Sequence, residues 1–147
     1  MSTPDYDDPA VEEQWCADAR ARVAEYLSRE GVVHGRIGEW PAWHVAPVVS
    51  VWAIESRARR DWVGWWVICG DLPTDYVSSR DVRHPRAAVA AFAELWTRHA
   101  EARRRGEPGG DFTVGDGSEG LLDLLESRAA MLARWAEDDG VWGDVGE

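Results

Sequence analysis

The chain has 147 residues, 45% of them hydrophobic and 29% charged, with a formal net charge of −11 at pH 7. That length predicts one domain spanning 1–147, able to bury a core without disulfides or metals. The acidity argues against a general nucleic-acid binder, whose affinity rests on phosphate contacts. No apolar run approaches a membrane span, and the polar, acidic start is not a signal peptide, so the expected location is cytoplasmic.

All 16 basic residues are Arg, which with the many Ala and Gly reads as the coding bias of a GC-rich genome. An acidic surface of this kind steers toward basic partners. Cys16 and Cys69 both lie in apolar surroundings and read as reduced, buried thiols.

Residues 1–7 read as loose. Asp8-Pro9 then predicts a helix start, Asp as N-cap and Pro in the first turn. Val11, Trp15, Ala19, Val23 and Leu27 recur every four residues, so the first helix runs to about Glu30 and stops at Gly31. Residues 31–47, rich in Gly and Pro, predict a loop, in which Val32 to His34 could form a short strand. Val48 to Glu55 and Val63 to Cys69 predict an antiparallel hairpin. Neither strand has a polar face, so both faces must be covered. Gly70 to Tyr76 reads as a turn. Pro85 opens a second helix with Val89, Phe92, Trp96 and His99 at helical spacing, ended by Gly106. Residues 106–117 read as a polar connection. Ser118 reads as the cap of a third helix carrying Leu122, Leu125, Ala129 and Leu132, which Asp138-Asp139-Gly140 stops. The tail 141–147 reads as loose, with Trp142 able to pack back. The fold class expected is α+β: three amphipathic helices on a small two- or three-stranded antiparallel sheet.

Ten residues are Trp, and six of them fall between Trp40 and Trp66. Those on helix stripes or strands are explained as core, because large aromatics dominate core energetics. Trp40 and Trp43, on the Gly/Pro-rich loop, have no periodic reason to be buried. With His44, and with Asp71, Asp75 and Tyr76 at the strand end, they form the candidate binding set, since Trp is enriched at interface hot spots. Each has a plainer reading: aromatic core for the Trp pair, and turn chemistry for Asp71 and Asp75. No histidine pair has helical metal-site spacing, and no metal or cofactor is expected. A nucleophilic role for Cys69 is disfavoured by its apolar strand, where a thiol pKa rises. Glu55, ending an apolar strand, needs a partner, for which Arg57, Arg59 or Arg60 are near in sequence.

The strings Trp15-Cys16, Gly31-Val-Val-His-Gly35, Glu39-Trp-Pro-Ala-Trp-His44, Trp52-Ala-Ile-Glu-Ser56 and Gly64-Trp-Trp-Val-Ile-Cys-Gly-Asp-Leu-Pro-Thr-Asp-Tyr76 resemble a family of small bacterial proteins known as a domain of unknown function. The resemblance runs from Glu12 to Trp135. It implies a bacterial cytoplasmic protein and brings no activity, cofactor or catalytic residue.

The function expected is therefore non-enzymatic binding of a protein, basic partners included, or of a small ligand at the Trp-rich loop, in the manner of an inhibitor or immunity partner. The alternatives are a small enzyme with His44 and Asp71 or Asp75 in one cleft, and a homodimeric module. Neither nucleic acid nor membrane is an expected partner.

Overall fold

The computed structural model describes residues 5–106 and 119–142. Helix α1, Pro9–Arg29, begins where the Asp8 carboxylate accepts the Ala10 N–H at 2.9 Å. Four strands follow: β1, Trp43–Val45; β2, Val49–Glu55; β3, Val63–Gly70; and β4, Leu72–Ser78. Helices α2, Pro85–Arg104, and α3, Glu119–Glu137, lead to a short 3-10 turn at Asp139–Trp142. The strands form one antiparallel sheet in the order β1-β2-β3-β4. The class is α+β, with four strands where two or three were expected. Among the described residues no helix is long and apolar enough to cross a membrane.

Both strands of the central hairpin are apolar on both faces because both faces are covered. Val49, Val51, Trp66 and Ile68 pack against α2 and α3. Trp52, Ile54, Val67 and Cys69 pack against α1, through Ala19, Val23, Tyr26 and Leu27. Cys16 and Cys69 are free, buried thiols. α2 and α3 run antiparallel. At one end of the pair Arg86 donates to Ala136 O at 2.6 Å and meets Asp139 at 2.7 Å. At the other, Arg104 pairs with Asp123 and Glu126. His84 caps α2, its Nδ1 accepting the Arg86 N–H at 3.0 Å.

Two segments depart from expectation. The stretch 70–76 is not a turn but the entry into β4. Its Pro73 is tolerated because β4 is an edge strand, where a missing N–H breaks no ladder. The reversal into β4 is made at Gly70, with φ +151, where a Cβ would come within 2.3 Å of Val48 O. Only glycine fits so close a backbone approach. The stretch 31–47 is not all loop, since β1 pairs Trp43 with Val51 and His44 with Ser50. Val32 to His34 form no strand. Pairing starts later, where Gly35 N–H and Gly38 N–H donate to Glu55 O and Ala53 O, and Ile37 bridges Ile54.

The tail also differs. Val141 and Trp142 belong to the folded unit, with Trp142 buried and its indole N–H donating to Trp135 O at 2.7 Å. The expected Ser118 cap and the stretches 1–4 and 143–147 lie outside the described residues.

Candidate binding site

Strand alternation splits the Trp-Pro-Ala-Trp-His string. Consecutive side chains on a strand point to opposite faces. Trp43 therefore enters the α2/α3 core, 5% exposed, stacked on Trp142 at 4.4 Å and edge-on to Trp135 at 5.7 Å. It is not presented to solvent beside Trp40, as the loop reading anticipated. The three-residue strand hidden in the Gly/Pro-rich loop supplies the periodicity that was missing.

His44, one residue on, faces α1. Its ring lies 6.2 Å from that of Trp15, nearly parallel to it, and 5.5 Å from Trp40, edge-on. His44 Nε2 sits 3.2 Å from a Glu12 carboxylate oxygen. Trp40 precedes β1 and stays 47% exposed. Trp15, His44 and Glu12 thus back an open indole. Beside it runs a groove of about 310 Å³, in which Trp40 meets Glu13, Glu39, Cys16 and Arg20. Arg20 is tied down, donating from Nε to Gly38 O and from Nη2 to Ile37 O, both at 2.9 Å. These bonds fix the 37–40 segment against α1 and so hold Trp40 in place.

The strand-end residues lie elsewhere and do not come together. Asp71 is exposed, and Arg128 of α3 donates to its backbone oxygen at 2.8 Å and to its carboxylate at 3.3 Å. Asp75 points into the core, 8% exposed, accepting the Trp96 indole N–H at 3.0 Å and the Tyr76 N–H at 2.8 Å. Burial raises its pKa against these two hydrogen bonds. Tyr76 falls on the α1 face, edge-on to Tyr26 and Trp65. The described residues thus offer no cleft that unites His44 with Asp71 or Asp75.

The groove does not supply an activated nucleophile. Cys16 is pushed up to about 11, by burial first and by Glu12 second. A thiol so shifted is protonated near neutral pH. Cys69 is likewise raised by burial. Among the described residues no group of three or more His, Cys, Asp and Glu is arranged to hold a metal ion.

Glu55 also finds a different partner from those expected. Arg36, not Arg57, Arg59 or Arg60, donates to its carboxylate at 3.1 Å, and Asp61 N–H donates to the same oxygen at 3.0 Å. These bonds hold the Glu55 carboxyl well below the usual range, at about 2. They also support Asp61 in a left-handed conformation, φ 60, that a non-glycine residue seldom adopts.

Sequence reasoning passed over Glu12, Glu13 and Glu39. Glu12 and Trp15, three apart in a helix, had to share a side of α1, which was the available signal.

A comparison with curated proteins gives no match, nor does one with solved structures. The family model for the domain of unknown function DUF4826 matches residues 9–142, and the chain belongs to that family.

Proposed function

We propose that this protein is a non-enzymatic binding protein that receives a basic side chain of a protein partner in the groove beside Trp40. The observation that carries the reading is the exposed indole, held against His44, which in turn stacks on Trp15, and set in a groove with Glu13 and Glu39. An arginine or lysine laid on an indole face gains about 0.5–1 kcal/mol at an exposed site and about 2 when desolvated. The neighbouring carboxylates add charge-assisted hydrogen bonds. The chain's −11 charge favours encounter with a basic surface. An enzyme reading has less support, because His44 is engaged by Glu12, Asp71 by Arg128, and the groove thiol is protonated.

The test is a titration with a short arginine-rich peptide, followed by tryptophan fluorescence and checked by calorimetry. Trp40→Ala is expected to weaken binding about tenfold, equivalent to about 1.4 kcal/mol. Glu13→Gln with Glu39→Gln should do the same, with folding unchanged in both. Parent-like affinity in both variants would place the interaction elsewhere.

A further inference from the structure

At the β2–β3 turn, next to the Trp40 groove, the charge reverses. Arg36, Arg57, Arg59, Arg60, Arg80 and Arg83 gather where β2 turns into β3 and β4 leads to α2, against the carboxylates of Glu39, Glu55, Asp61 and Asp81. This end carries a net excess of positive charge on a chain whose total is −11. At its centre stands Trp62, 39% exposed, with the Arg59 and Arg83 guanidinium carbons 4.0 and 3.8 Å from its ring centroid. Both guanidinium groups thus lie against the indole ring.

The patch is built. Arg83 is held by Val63 O at 3.0 Å and by Ser79 Oγ at 3.0 Å. The turn carrying Arg59 is held by the Glu55 carboxylate through Asp61 N–H. Arg57, Arg60 and Arg80 are exposed and make no ion pair with any described residue. The fold fixes the platform and leaves three cations on it unused. An ordered surface loses less entropy on binding than a mobile one.

We propose that this end of the sheet is a second binding surface, which takes an acidic segment of a partner protein rich in Asp and Glu. The guanidinium groups are spread along an exposed turn, which suits an extended run of carboxylates paired with arginine forks. Single-stranded nucleic acid fits less well, because it stacks bases on aromatic rings and the Trp62 ring is already engaged by Arg59 and Arg83. The overall negative charge does not prevent this. Exposed charges farther off than a Debye length, about 8 Å at physiological salt, are largely screened, while the arginines act at contact. The proposal does not rest on the Trp40 groove. If both hold, the molecule binds a basic and an acidic partner side by side, since Arg20 and Glu39 line both the Trp40 groove and the hollow beside Trp62.

The experiment is a fluorescence and calorimetric titration of the full chain with a polyglutamate peptide at low and physiological salt. A single-stranded DNA oligonucleotide is run in parallel. The triple variant Arg57→Ala, Arg60→Ala, Arg80→Ala removes side chains that support nothing in the fold, and Arg98→Ala on α2 is the control. The expected result is salt-sensitive binding of polyglutamate, weakened at least about tenfold in the triple variant, kept in Arg98→Ala and in Trp40→Ala, and tighter than oligonucleotide binding. No binding at low salt, equal binding by the triple variant, or tighter binding of the oligonucleotide would each overturn the proposal.

Discussion

Two aromatic clusters meet at β1, and they differ in what closes them. On the α2/α3 face Trp43, Trp142 and Trp135 interlock, with His84 edge-on to Trp142. On the α1 face Trp15 stacks on His44 and His44 meets Trp40, whose ring stays half-exposed. One cluster spans distant parts of the chain and shuts the core. The other is assembled from α1 and the segment at β1, and is left open. Two tryptophans three residues apart thus serve opposite ends, and burial separates them where residue type does not.

The sharpest way to break this contrast is Trp43→Ala. Removing a buried indole costs about 3 to 5 kcal/mol, so the variant should unfold at clearly lower urea with the same slope. A loss under about 1 kcal/mol would mean that Trp43 is not closing a core.

Next in size is the coupling between Trp43 and Trp142. Stacked buried rings should give a double-mutant interaction energy of about 0.5–3 kcal/mol for the two alanine variants. Additive losses would show that the C-terminal turn packs independently of β1.

Asp75 supplies a pH-dependent contrast. Its folded pKa is raised, so its contribution to stability is full below the unfolded carboxylate value of about 3.9 and is lost as pH rises through the folded value. The stability of the parent relative to Asp75→Asn should therefore fall from acid to neutral pH, measured by denaturant unfolding at several pH values. An opposite slope would mean that the Trp96 and Tyr76 hydrogen bonds outweigh burial. The smallest stability effect belongs to Trp40→Ala. An exposed ring should change unfolding free energy by no more than about 0.5 kcal/mol, even as peptide binding weakens.

What could be read in the chain followed from local chemistry. Asp8-Pro9 marks the start of α1, Pro85 that of α2, and the doubly apolar 48–55 and 63–69 stretches a sheet covered on both sides, because caps and patterning act within a few residues. What could not be read depended on distant partners. Trp43 acquires its buried face only when paired with Val51 across the sheet. Leu72–Ser78 becomes a strand because β3 lies beside it, despite the Gly-Asp before it and its own Pro73. Glu55 takes Arg36, nineteen positions away, over three arginines within five. The candidate set divided for the same reason: Trp40 and His44 stay together, while Trp43 and Asp75 turn into the core and Asp71 goes to α3.

The stacking of Trp43 on Trp142 also has an optical consequence. Two indoles with centroids 4.4 Å apart and planes inclined by 19° couple their electronic transitions. The pair therefore contributes to circular dichroism a signal that neither ring gives alone. That signal exists only while residue 142 is docked on β1, so the native chain carries its own spectroscopic label for the seating of its C-terminal turn.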